Sequence, residues 1–106
     1  MKRGEVWWVD FEPALGSEIQ KTRPAVIVSR DTANSVMRRV VVVPLTSNIS
    51  RIYPAETVVT VRGVQSKALA DQITVADKRR LKKQAGELAP EDMQKVDAVI
   101  RLHLDL

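Results

Sequence analysis

Four short stretches hold most of the side chains able to do chemistry: Gly16-Ser17-Glu18, Lys21-Thr22-Arg23-Pro24, Pro44-Leu45-Thr46-Ser47-Asn48 and Asp71-Gln72. Pro24 biases the residue before it towards extended backbone, so Arg23 projects its side chain instead of folding it into a helix. A guanidinium held this way can grip a phosphate through two parallel hydrogen bonds and stabilise the charge that builds when phosphorus becomes five-coordinate. Thr46, just after a strand interrupted by proline, and Ser17, after a flexible glycine, are hydroxyl donors suited to the same oxygens. The same residues have a plainer reading, in which Thr46 and Ser17 bond to local turns and Arg23 pairs with Glu18 across the surface. Spacing alone leaves both open.

Other chemistries lack their residues. A Ser-His-Asp or Cys-His site needs an imidazole beside the nucleophile, and the single histidine, His103, lies at helical spacing from Val96 and Ile100, where it is expected to be packed and partly buried. With no cysteine there is no thiolate zinc site, disulfide framework or Cys nucleophile. No Asp or Glu is followed two positions later by Lys, a pattern common in two-metal nucleases, and no glycine-rich phosphate loop occurs. An enzyme built on this chain is expected to use no metal, no histidine pair and no nucleotide cofactor.

The charge favours an anionic partner. The 17 Lys and Arg against 13 Asp and Glu give +4, and residues 51 to 89 hold 8 basic and 4 acidic groups. Lys78-Arg79-Arg80 and Lys82-Lys83 form the densest cationic run. Nucleic acid or an acidic protein segment suits such a field, because neutralising phosphates releases condensed counterions; the bland reading is a solvated face. With 106 residues the chain is expected to form one domain, hiding roughly 65% of the surface its unfolded form exposes. The uncharged run Val40 to Ser50 is too short to span a bilayer, and Asp10 interrupts any leader, so the expected compartment is the cytoplasm.

The elements that must position these residues are mostly strands. Glu5 to Phe11 is aromatic and β-branched, Pro24 to Ser29 and Arg39 to Thr46 are apolar runs suited to burial on both faces, and Ala55 to Arg62 and Lys67 to Thr74 flank a turn at Gly63. Glu12 to Arg23 has neither helical nor strand periodicity and is expected to be a long, functional loop. Asp77 can cap a short turn through Lys78-Arg79-Arg80-Leu81 that stops before Gly86. Pro90 starts a closing helix with Met93, Val96, Ile100 and Leu104 on one face, and Val99 and Leu102 widen the stripe beyond one sheet's needs, which points to a partner subunit. Trp7 and Trp8, adjacent on a strand, point to opposite faces, so one must leave the core; core plus subunit interface and base stacking are the two readings of the pair. About five strands followed by one helix fit a mainly β, α+β protein with a strongly curved sheet or small barrel.

Arg3-Gly4-Glu5-Val6-Trp7-Trp8-Val9-Asp10-Phe11, Gly16-Ser17-Glu18 with Lys21-Thr22-Arg23-Pro24-Ala25-Val26, Val43-Pro44-Leu45-Thr46-Ser47, and Leu69-Ala70-Asp71-Gln72-Ile73 leading to Asp77-Lys78-Arg79-Arg80-Leu81 together resemble the MazF/PemK family of toxin endoribonucleases, the toxin half of bacterial toxin-antitoxin pairs. Each motif alone is weak, and the ordered set is specific. The resemblance implies a small SH3-like, CcdB-like β-barrel of about five to seven strands with a C-terminal helix over residues 1 to 106, a homodimer, a cognate acidic antitoxin, and metal-independent cleavage of single-stranded RNA with no cofactor. It places catalytic roles on Arg23 and Thr46, with Glu18 a candidate proton acceptor, and substrate contacts on Ser17, Gln72, Lys21, Ser47 and Arg80. Ile19 and Gln20 depart from the commonest loop pattern, which bears on base preference more than on the reaction. In such cleavage the RNA's own 2′-hydroxyl attacks, leaving a 2′,3′-cyclic phosphate and a 5′-hydroxyl, so DNA should be inert. The rivals are a protein-binding poison like the gyrase-targeting CcdB toxins, which end in Trp-Gly-Ile where this chain ends in His103-Leu104-Asp105-Leu106, and a non-catalytic nucleic-acid-binding barrel.

Overall fold

The computed structural model describes all 106 residues. Seven strands, β1 (Glu5–Asp10), β2 (Thr22–Ile27), β3 (Arg39–Thr46), β4 (Glu56–Val61), β5 (Val64–Leu69), β6 (Thr74–Asp77) and β7 (Leu81–Glu87), form an antiparallel sheet in the order β4-β5-β3-β2-β1-β7, with β6 also paired to β3. Two α-helices, α1 (Asp31–Val36) and α2 (Pro90–Leu104), and 3-10 turns at Ala70–Gln72 and Lys78–Arg80 complete the chain.

The period of two along β3 divides the core. Val43 and Leu45 join Val6, Val26, Val59 and Ala68 under Met93 and Val96 of α2, while Val40 and Val42 join Val9, Ala25, Ile27, Ala76 and Leu81 on the other side. Burial on both faces explains why β3 reads as an unbroken Val run, and each fully buried Val or Leu contributes roughly 1.5–3 kcal/mol. The sheet curls into a half-barrel until its outer strands approach: a Cβ built on Gly86 of β7 would lie 2.9 Å from Val61 Cγ1 of β4. Arg62 and Gly63, at φ 49° and 79°, form the two-residue turn joining β4 to β5, a backbone that only the glycine adopts freely.

Helix α2 begins with Pro90, Glu91 and Asp92, which suit a helix N-terminus by fixed φ and by charge. The Asp92 carboxylate accepts the Thr60 backbone N–H at 2.8 Å, satisfying a donor on the outermost strand. The stripe expected on α2 packs at Met93 and Val96, is half-buried at Ile100, and is open at Leu102 and Leu104.

Three expectations are corrected. Lys67 to Thr74 is not one strand: the 3-10 turn at Ala70–Gln72 ends β5, and a new strand, β6, crosses to β3. Residues 81 to 87, expected only as the end of a helical turn, form β7, and the unassigned stretch 31 to 36 is α1, docked by buried Asn34, whose Nδ2 donates to the Ser29 carbonyl at 2.9 Å. His103 is exposed, because the last turn of α2 runs past the sheet.

Candidate active site

The segment between β1 and β2 lacks regular structure and is held by side chains reaching in from distant elements. The Phe11 N–H donates to the Lys21 carbonyl at 2.9 Å, and the Lys21 N–H to the Glu12 carboxylate at 2.7 Å, closing the base of the loop. Arg80 donates one nitrogen to the Asp10 carbonyl at 3.1 Å and to the Glu12 carbonyl. Gln72 accepts the Ile19 N–H at 2.6 Å, and Glu18 turns back to accept the Leu15 N–H at 2.7 Å. Lys21 has φ 66°, a left-handed conformation that strains a non-glycine residue and that these bonds stabilise.

Arg23 follows directly, on β2 opposite Val9 of β1. Its side chain is exposed, has no ion-pair partner, and makes one long bond from Nε to the Gln20 carbonyl at 3.3 Å. The surface pair with Glu18 is therefore absent. On β3, half-buried Thr46 pairs with Lys67 of β5, and its hydroxyl accepts only a stretched bond from the Asn48 N–H at 3.5 Å. Ala25 stands opposite Pro44 across β2 and β3, a register that, continued by two residues, sets Arg23 opposite Thr46. The geometry offers an unpaired cation and a nearly free hydroxyl at neighbouring strand ends.

Two cavities of similar size divide the remaining candidates. One, about 530 Å³, is lined by Ser17, Glu18, Gln72 and Arg80, together with Asp10 and Asp71. The other, about 490 Å³, is lined by Arg23, Ser47, Trp8, Arg62, Lys83 and Gln84 among others. Thr46 and Lys21 line neither, although Leu45 and Ser47 on either side of Thr46 both face the second. Lys83 belongs to the cationic run read from sequence, whereas Arg62 is not signalled there: nothing local shows that the tip of the β4–β5 hairpin folds back against β7. The two tryptophans do part, with Trp7 half-buried and its indole N–H donating to Glu5 at 2.9 Å, and Trp8 41% exposed.

The cationic run is mostly engaged with its own chain. Lys78 donates to the Asn34 carbonyl, Lys82 to the Arg79 carbonyl at 3.0 Å, and Arg80 holds the loop. The Asp77 side chain accepts the Arg79 backbone N–H at 2.9 Å, capping the turn as its position suggested, and takes the Arg79 guanidinium at 3.0 Å. That side-chain bond holds the Asp77 carboxyl below the ordinary carboxylate range, helped by the backbone bond, and raises Arg79 above its usual value. Nowhere does the chain gather three or more His, Cys, Asp or Glu side chains able to hold a metal ion.

Residues 2–104 match the family described as PemK-like, MazF-like toxin of type II toxin-antitoxin system. The chain is 42% identical to endoribonuclease MazF9 of Mycobacterium tuberculosis, covering 100% of this chain and 98% of that protein. It is 37% identical to endoribonuclease toxin MazF of Escherichia coli, covering 93% and 89%. MazF from Deinococcus radiodurans superposes with a TM-score of 0.88 at 27% identity, covering 100% of this chain and 97% of that one. An endoribonuclease from a mycobacterial species, solved in complex with its cognate antitoxin, superposes with a TM-score of 0.84 at 26% identity, covering 100% and 96%. The chain belongs to the PemK-like, MazF-like family of type II toxins, and its enzyme class is endoribonuclease. That class disfavours both the protein-binding poison and the non-catalytic barrel.

Proposed function

We propose that this toxin cleaves single-stranded RNA without a metal ion, by attack of the 2′-hydroxyl on the adjacent phosphorus. The O2′–P bond forms, the P–O5′ bond breaks, and the proton lost from O2′ is balanced by one gained at O5′. The products are a 2′,3′-cyclic phosphate and a 5′-hydroxyl. The observation that carries this reading is the Arg23 guanidinium, projecting without a carboxylate partner beside the strand end that bears Thr46. Arg23 binds the non-bridging oxygens and stabilises their growing charge, and Thr46 donates a supporting hydrogen bond. A guanidinium carries a fixed charge, so Arg23 acts electrostatically and not as a proton shuttle.

Glu18 is the acceptor for the 2′-hydroxyl proton. One of its carboxylate oxygens holds the Leu15 N–H, which leaves the other free for this role. Ser17, Ser47 and Lys21 contact substrate around this centre. Gln72 and Arg80 contribute through the loop that each of them anchors.

The toxin acts as a homodimer, consistent with the open apolar side chains of Leu102 and Leu104, and is neutralised by an acidic antitoxin that covers the cationic surface. The RNA substrate places its action in the cytoplasm. Incubation of purified protein with a long single-stranded RNA in excess EDTA tests the reading. Discrete cuts are expected, slowed roughly 10²–10³-fold by Arg23→Ala, with single-stranded DNA untouched. An Arg23→Ala protein cutting at the normal rate would overturn the assignment.

A further inference from the structure

The two cavities beside Arg23 and the loop differ sharply in charge. The one holding Ser17 and Gln72 is lined by three carboxylates, Asp10, Glu18 and Asp71, and its one cation, Arg80, is already bonded to backbone carbonyls. The other has no carboxylate in its lining, yet two cations meet there, Arg62 from the hairpin tip and Lys83 from β7, with Arg23 of β2 at its border. None of the three has an ion-pair partner in the chain. Like charges gathered without counterions raise the local potential and draw in an anion, so the phosphates of a polyanion are held more strongly at this cavity than at the first.

The convergence is built into the fold. Gly86 has no side chain, and the Arg62 side chain lies over it, with Cγ and Nε 3.5 and 3.6 Å from where a Cβ would stand. This lays the guanidinium against the strand that carries Lys83. On β1, Trp8 stands opposite Pro24 of β2 on one side and Lys83 of β7 on the other, is 41% exposed, and lines the same space. An aromatic face beside cations is the arrangement on which single-stranded nucleic acid binds, base on ring and phosphate on charge. A volume of about 490 Å³ falls within the roughly 300–1,000 Å³ of small-ligand sites.

We propose that this cavity binds the nucleotide flanking the cleaved bond of the RNA, with its base stacked on Trp8 and its phosphate held by Arg62 and Lys83. This rests on the reading of Arg23 as the residue that grips the reacting phosphate, since Arg23 borders this cavity. Stacking tolerates any base, so the subsite adds affinity more than sequence choice.

The probe is a fully 2′-O-methylated single-stranded RNA of mixed sequence, which lacks the attacking hydroxyl and cannot be cut. It is titrated into full-length Trp7→Phe protein, in which Trp8 is the sole tryptophan, with binding followed independently by anisotropy of a dye on the RNA. Saturable Trp8 quenching that tracks the anisotropy is expected. In Arg62→Gln and Lys83→Gln the slope of log affinity against log salt should fall by about 0.7 each, the value for one phosphate contact on a single strand. With cleavable RNA these variants should raise KM about tenfold and leave kcat within about twofold, as uniform binding predicts.

Arg23→Ala in the Trp7→Phe background separates the two claims. Quenching without cleavage supports the subsite and the catalytic assignment together, and quenching with unimpaired cleavage overturns only the catalytic one. Bound RNA that leaves Trp8 emission unchanged, with the salt slope and KM of both Gln variants as in the parent, overturns the subsite. Gln variants that bind RNA normally but lose affinity for an acidic antitoxin peptide overturn it too, and reassign the cavity to protein.

Discussion

Replacing Lys67 by Met should destabilise the fold far more than most surface changes, and the local geometry sets the size of the effect. Lys67 sits on β5 at 8% exposure, donating to the Glu56 carboxylate at 2.9 Å and to the Arg51 carbonyl at 2.8 Å. Its ammonium also lies 5.6 Å from the centre of the Tyr53 ring. The same Glu56 oxygen accepts the Tyr53 N–H at 2.9 Å, so one ion pair closes the loop between β3 and β4. Met preserves much of the lysine stem but leaves the Glu56 carboxylate, 10% exposed, without its cation. Breaking one side of a buried pair costs roughly 3–5 kcal/mol, a large part of the roughly 5–15 kcal/mol that holds a domain folded.

For a chain of this size the lower figure corresponds to a melting temperature lowered by roughly 12 °C or more. Adding Glu56→Gln removes the stranded charge and keeps an oxygen for the Tyr53 N–H, so the double variant should recover at least about 1.5 kcal/mol relative to additivity. Urea unfolding followed by circular dichroism, at one protein concentration throughout, gives all four corners of the cycle. A loss below about 1 kcal/mol in Lys67→Met, or strict additivity in the double variant, would refute the reasoning.

Gly86→Ala places a methyl group 2.9 Å from Val61 Cγ1 and should lower stability by roughly 1–3 kcal/mol, measured by urea midpoint. Gln72→Ala removes the acceptor of the Ile19 N–H; the loosened loop should be cut faster by protease under native conditions, while the unfolding free energy from urea titration falls by less than about 1.5 kcal/mol. The Asp77 carboxyl is held low by the Arg79 side chain and the Asp31 carboxyl by the Arg3 backbone N–H, so both favour the folded state above the ordinary carboxylate range. That stabilisation is lost as pH falls below about 3.8 towards their depressed folded values; unfolding midpoints between pH 5 and 2.5 should drop, less steeply in Asp77→Asn.

What was legible in the sequence followed from local rules. β3 matched its expected bounds because its Val run must be buried on both faces, and α2 began where Pro90, Glu91 and Asp92 suit a helix start. Asp77 capped its turn because a carboxylate there meets the next free N–H groups. The rest depended on contacts remote in sequence. Strand β7 carries Lys82, Lys83 and Gln84, which look like a solvated run until pairing with β1 makes them a strand. The boundary between β5 and β6 is silent in the sequence, because Ala70–Gln72 gives no Gly or Pro signal for a break. The candidate site divided in the same way: local motifs picked out Arg23 and Thr46, whereas the neighbours Arg62 and Lys83 emerge only when the curled sheet brings its outer strands together.

The central claim is that the RNA supplies its own nucleophile and Arg23 stabilises the phosphate it attacks. The most direct test places a single 2′-deoxynucleotide on the 5′ side of a mapped cut and analyses the product ends. Cutting at that bond should vanish while neighbouring sites remain, and every cut in the unmodified RNA should leave a 2′,3′-cyclic phosphate on the upstream fragment and a 5′-hydroxyl on the downstream one. Cleavage that persists at the deoxy position, or fragments with 5′-phosphates, would show that water attacks instead and contradict the account.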